Sequence, residues 1–220
     1  LPMLTIGMVQ GDALGGGLEA LLSFDFIIAE ESATFGLPEI MFGLFPGMGA
    51  HAFLSRQLGS VEAERLITSG KTLSAREMLD FGLVHDVVPD GTAEEAVQTF
   101  IQKNDRRHAG LLGSRRATKR NWNLSLSELT DITEIWADTA LRLTERDLKL
   151  MGRLVAQQRR DPRRQRGEGL HAALSLRPTH ATRLESVPAV QPRLGGLRGV
   201  RRKIRLVLGR LCALERRRLT

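Results

Sequence analysis

Two glutamates, Glu19 and Glu39, stand twenty residues apart, each just after a glycine-bearing segment. Glu19 follows Gly15-Gly16-Gly17-Leu18, and Glu39 follows Gly36-Leu37-Pro38. Two carboxylates held at one reacting carbon can serve as base and acid when their surroundings set their protonation states apart. Three consecutive glycines let the backbone approach a ligand closely and take dihedrals closed to other residues. Ahead of a helix, such a loop aims N–H groups at negative charge. Gly11 and Gly16 have the first spacing of a P-loop, but Gly17-Leu18 stands where Lys-Ser/Thr is required, and the loop contains no G-x-G-x-x-G. A cradle without a lysine suits a transient oxyanion better than a triphosphate.

The elements that must hold these residues follow from pattern. Residues 4–10 (LTIGMVQ) are short, apolar and partly β-branched, as a buried parallel strand is. The glycine segment 11–17 reads as a flexible loop and 18–23 (LEALLS) as a helix, giving strand, loop, helix. Residues 26–30 and 34–36 read as two further strands, and 37–49 as an irregular stretch punctuated by Gly43, Pro46, Gly47 and Gly49. Residues 50–58 and 61–69 predict consecutive helices, and Ser74 is placed to cap a helix over 75–81. A strand over 83–88 and a helix over 92–103 follow. Leu129, Ile132, Trp136, Leu143, Leu150 and Leu154 recur at helical spacing, so one long helix or a broken pair covers 127–157. Strands and helices alternate early and helices dominate later, an α/β layered fold with a helical part over about 92–157.

Bulk properties exclude several classes. Apolar residues at 42% suffice for a core, and no apolar run approaches the ~20 residues of a membrane-spanning helix. The single cysteine, Cys212, excludes an intrachain disulfide and a cysteine-based metal cluster, in keeping with a cytoplasmic protein. The five histidines show no metal-ligand spacing, so no metal or cofactor is expected. The chain opens with Leu directly on a strand-like segment without signal-peptide character, which implies residues upstream. The net charge of +7 is unevenly spread: residues 158–220 carry 16 Arg and 1 Lys against 4 acids, leaving residues 1–157 at −6. Residues 158–220 read as a basic, disordered tail, with an arginine run at 159–166, a Pro/Arg/Gly-rich part at 177–199 and a basic amphipathic helix at 200–214. Nucleic-acid or membrane binding through this tail is the lesser expectation.

Ala13-Leu14-Gly15-Gly16-Gly17-Leu18-Glu19-Ala20 and Phe35-Gly36-Leu37-Pro38-Glu39 resemble the two signature blocks of the enoyl-CoA hydratase/isomerase (crotonase) superfamily. Gly43-Leu44-Phe45-Pro46-Gly47-Met48-Gly49-Ala50 and the ITSGKTLSAREMLDFGLV pattern at 67–84 resemble its following blocks. The resemblance runs from about residue 4 to 157. It implies a partial crotonase (ClpP/crotonase-like) fold, a superhelix of β-β-α units, over residues 1–157. The family's upstream half, with the second oxyanion N–H and much of the carrier site, has no counterpart in this sequence. Within the superfamily, Ile28-Ala29-Glu30-Glu31, Leu44 to Ala50, and Ile132-Thr133-Glu134-Ile135-Trp136-Ala137-Asp138-Thr139-Ala140 are similar to the diffusible-signal-factor synthases of bacterial quorum sensing.

The resemblance implies that Glu19 and Glu39 are the catalytic pair and that the Gly16 N–H contacts the thioester oxyanion. Leu14, Gly15, Met48, Trp136 and Leu154 would bind substrate, an apolar acyl chain on acyl carrier protein or coenzyme A. Trp136 and Leu154 lie 18 residues apart, five turns, so an unbroken helix puts them on one face. Three readings follow. The first is a dehydratase/thioesterase releasing a cis-2-unsaturated fatty-acid signal from 3-hydroxyacyl-ACP. The second is an enoyl-CoA hydratase/isomerase of fatty-acid metabolism, and the third an inactive homologue acting as a binding protein. The resemblance also implies a homo-oligomer, trimer or hexamer.

Overall fold

A computed structural model describes residues 3–159 and 170–176. Strands β1 (Leu4–Val9) and β2 (Asp12–Leu14) lead into helix α1 (Gly16–Leu21). Strands β3 (Phe26–Glu30) and β4 (Thr34–Gly36) then lead through a 3-10 turn, Pro38–Phe42, to α2 (Ala50–Leu58) and α3 (Ser60–Ser69). Next come β5 (Thr72–Ser74), α4 (Ala75–Asp80), β6 (Asp86–Val88) and α5 (Ala93–Asn104). Helices α6 (His108–Trp122), α7 (Leu126–Ala140) and α8 (Glu145–Arg159) follow, and β7 (Leu170–Leu176) ends the described chain.

Each β-β-α unit sends its first strand to one sheet and its second to another. The first sheet has the order β6-β3-β1-β7 and the second β2-β4-β5. β1 pairs in parallel with β3 (Ile6 opposite Phe26, Val9 opposite Ala29), and β3 in parallel with β6. β2 pairs in parallel with β4, and β4 antiparallel with β5. Consecutive residues Ile27, Ile28 and Ala29 are all buried, because helices cover both faces of the first sheet. One face meets Val97 and Ile101 of α5; the other joins the main core of Leu18, Leu21, Phe35, Leu54, Ile67 and Met78.

Polar anchors fix the helical part. Ser74 Oγ accepts from the Glu77 N–H (3.2 Å) while Glu77 Oε2 accepts from the Ser74 N–H (2.8 Å), the reciprocal cap that starts α4 as its sequence predicts. Asp25, almost fully buried, accepts from the Thr5 N–H and hydroxyl and pairs with Lys119 Nζ at 2.6 Å, tying α6 to the first sheet. Burial alone would raise the Asp25 pKa, but Lys119 and Thr5 outweigh it and hold it below its usual value.

The structure corrects several expectations. The 11–17 segment is not wholly a loop, because Asp12–Leu14 extends to pair with β4. The strand at 83–88 contracts to Asp86–Val88, since Leu83 and Val84 donate their N–H groups to Met78 O behind α4. Of the two arrangements expected for the helical stripe at 127–157, the broken pair is the one present: α8 restarts where Asp147 Oδ2 accepts from the Thr144 N–H (2.9 Å). Within the region expected to be a disordered tail, Leu170–Leu176 forms β7, antiparallel to β1. The arginine-rich stretch from 160 to 166, the segment 177–199 and the expected helix at 200–214 lie outside the described residues. Among the described residues no helix is long and apolar enough to cross a membrane.

Candidate active site

Gly15 sits at the junction of β2 and α1 with φ 56° and ψ −126°, a conformation reserved for glycine. Its N–H donates to Gly36 O at 2.8 Å, which brings the two glycine-bearing segments side by side. A β-carbon there would stand 2.6 Å from Glu39 Oε1, so the missing side chain is what admits the second glutamate. Gly16 opens α1, where the first N–H groups of a helix have no intrahelical partner. The Met48 methyl lies 2.4 Å from where a β-carbon on Gly16 would be.

Glu19 is nearly inaccessible, at 3% exposure. Its Oε1 accepts from the Met48 N–H at 2.7 Å and the Ala50 N–H at 3.2 Å. Burial raises its pKa, and the Ala50, Met48 and Gly49 N–H groups pull it part of the way back. Glu39 is differently placed. Its Oε2 is buried without a hydrogen-bond partner. Burial is the largest influence and pushes its pKa up to about 7; its own backbone N–H pulls the other way, and the neighbouring Glu19 charge adds a smaller push upward. The two carboxyl groups are thus unlike: one is held by N–H donors that favour its charge, and the other favours a proton.

Both line a cavity of about 410 Å³. Leu14, Gly15, Gly16, Met48, Trp136 and Leu154, the substrate-binding and oxyanion candidates from sequence, all border it. Sequence reasoning missed Phe42, Leu44, Thr133, Met151 and Val155, which border it too. Met151 and Val155 were within reach, because they flank Leu154 at i−3 and i+1. Trp136 and Leu154 meet there from separate helices, α7 and α8, rather than from one face of an unbroken helix. Phe42, Leu44 and Ala140 form the buried centre of this wall, with Trp136, Leu150 and Leu154 packed against it. Among the described residues that line the cavity, Glu19 and Glu39 are the only ionisable ones.

The family profile for enoyl-CoA hydratase/isomerase matches residues 1–138, more than half of the chain. The chain belongs to the enoyl-CoA hydratase/isomerase family. It is 40% identical over 124 residues to a "Probable enoyl-CoA hydratase" of Rhizobium meliloti (strain 1021), covering 56% of this chain and 48% of that protein. It is also 40% identical over 125 residues to "Probable enoyl-CoA hydratase echA8" of Mycobacterium tuberculosis, covering 56% and 49%. It thus spans about half the length of these family members. Among solved structures of the family, carnitinyl-CoA hydratase from Mycobacterium avium superposes with a TM-score of 0.57 at 32% identity, over 70% of this chain and 59% of that one. An enoyl-CoA hydratase from Mycobacterium avium subsp. paratuberculosis K-10 superposes with a TM-score of 0.58 at 27% identity, over 66% and 60%. The superpositions carry the crotonase fold, and both glutamate blocks lie within the matched span.

Proposed function

We propose that this chain carries the acid–base centre of an enoyl-CoA hydratase, which adds water reversibly across the C2–C3 double bond of a 2-enoyl thioester. The observation that carries this reading is the pair of unlike glutamates as the sole ionisable groups among the described residues that line a largely apolar cavity. In hydration the Glu19 carboxylate takes a proton from water as its oxygen bonds to C3, and the carboxylic acid of Glu39 delivers a proton to C2. The thioester carbonyl carries the charge between these events, and in this reading the Gly16 N–H, at the cavity's edge, meets it. In the reverse direction Glu39 takes the C2 proton and Glu19 protonates the departing hydroxyl. The assignment follows the N–H groups that favour charge on Glu19 and the elevated pKa of Glu39. The acyl chain lies against Leu14, Trp136 and Leu154, Gly15 leaves room for Glu39, and Met48 borders the carbonyl end. A cytoplasmic, homo-oligomeric enzyme, trimer or hexamer, goes with this reading.

The test is turnover of a 2-enoyl-CoA by the full chain, followed by loss of the conjugated thioester absorbance. Glu19→Gln and Glu39→Gln should each lower kcat by roughly 10²–10⁴-fold. Full rate in either variant rules out the paired-carboxylate mechanism. A second reading, the signal-factor synthase, is supported by motif wording: two of its three motifs, 44–50 and 132–140, meet at Gly47 and Trp136. The relatives given above bear hydratase names, which favours the first. Release of free unsaturated acid from 3-hydroxyacyl-ACP would reverse that preference. Thioester binding without any turnover would support the third, binding-protein reading.

A further inference from the structure

Helix α7 supplies Thr133 and Trp136 to the cavity, yet Ala137 and Ala140 are its only buried residues. Its larger apolar residues Leu129, Ile132 and Trp136 are only partly buried, so a polar contact adds to the packing that positions it. Arg56, in the last turn of α2, makes that contact. Its Nη1 donates to Ala52 O at 2.9 Å, which fixes the side chain on its own helix. Its Nε donates to Trp122 O, the last residue of α6. The remaining fork grips both oxygens of Glu128 in the first turn of α7, Nη1 to Oε1 at 2.8 Å and Nη2 to Oε2 at 2.7 Å. One guanidinium thus spans the α6–α7 corner, where Asn123 turns the chain at φ 43°. Isolated surface ion pairs contribute little, but a bidentate fork within a network fixes orientation as well as distance.

Three α7 residues at i, i+4 and i+7 then bear on the turn before α2. Leu129 comes within 3.2 Å of where a β-carbon on Gly49 would stand. The Thr133 hydroxyl reaches Gly47 O at 3.2 Å. Trp136 occupies the space a side chain at Gly47 would need. The same turn presents the Met48 and Ala50 N–H groups to Glu19. Ala50 is the first residue of α2, the helix that carries Arg56, so the path closes on itself.

We propose that Arg56 and Glu128 are a positioning pair: by locking α7 to α2 they keep the 47–50 turn in the shape that delivers the Met48 and Ala50 N–H groups to Glu19. The importance of this for turnover rests on Glu19 being catalytic, as read above; the geometry itself does not.

Residue-resolved amide exchange on the full chain tests it together with kcat. Arg56→Ala and Glu128→Ala should each speed exchange at Met48 and Ala50 roughly tenfold while leaving Ile28 and Ala29 of β3 unchanged. Arg56→Lys, which keeps the charge but cannot fork, should give a smaller change in the same amides. The reversal Arg56→Glu with Glu128→Arg should restore slow exchange, and kcat should fall and recover in parallel. Unchanged exchange at Met48 and Ala50 in the single variants, or an equal rise at β3 even in Arg56→Lys, overturns the proposal. If exchange responds as described but the wild-type chain hydrates no enoyl thioester, the clamp stands and the hydratase reading falls. If the wild type turns over and those amides do not respond, the clamp alone falls.

Discussion

Glu39 Oε1 lies 2.6 Å from the point where a β-carbon on Gly15 would stand, so the two positions cannot both carry a side chain in this arrangement. Gly15→Ala adds that atom at a residue whose φ is +56°. The backbone strain costs about 1–3 kcal/mol, and the carboxyl must move away. Melting should show a modest loss of stability, and kcat should fall on the order of 10²-fold through misplacement of the acid. A variant with wild-type kcat would mean that Glu39 does not work from this position.

The pH dependence follows from the same carboxyl. In the folded chain its pKa is about 7, against an ordinary 4.5. Between those values the folded form holds a proton that the unfolded form has released. The associated stability is fully present below about pH 4.5 and is lost as pH rises through about 7. Glu39→Gln should flatten the fall in urea midpoint across that window. Hydration uses the protonated acid, so the rate should also decline as pH rises through about 7.

Gly47 admits Trp136 in a similar way, since a β-carbon there would stand 2.3 Å from the indole Cγ. Gly47→Ala should push the indole off this wall of the cavity. KM for long acyl substrates should rise roughly tenfold, equivalent to about 1.4 kcal/mol of lost contact, with a smaller change for short ones. Equal effects at all chain lengths would show that the indole does not border the acyl chain.

Phe35, fully buried on β4, packs where the second sheet meets α1 to α4. Phe35→Ala should destabilise the chain by about 3–5 kcal/mol, measured as a shift in denaturant midpoint. A shift well below this would place the stabilising core elsewhere, under α5.

Much of this site was legible because its chemistry is local in sequence. Glycines at 15–17 and 36 stand near Glu19 and Glu39 along the chain, and Ser74 with Glu77 announces its own helix start. What stayed hidden depends on pairing at a distance. Asp12–Leu14 is a strand only because Thr34–Gly36 lies alongside, and a glycine-rich segment gives no hint of that partner. Leu170–Leu176 reads as part of a disordered tail because arginine-rich flanks dominate the composition around a short segment, LHAALSL, in which five of seven residues are apolar. The N–H groups at Met48 and Ala50 carry no side-chain signature at all. The apolar period leaves one long helix or a broken pair open over 127–157, and Thr144 with Asp147 marks where the break falls.

The chain has two tryptophans and no tyrosine. Trp136 borders the cavity, whereas Trp122 closes α6. With Trp122 replaced by phenylalanine, all indole emission would originate at the cavity wall. Displacing water there would shift its colour, so the protein carries its own dye for reading when a ligand is seated.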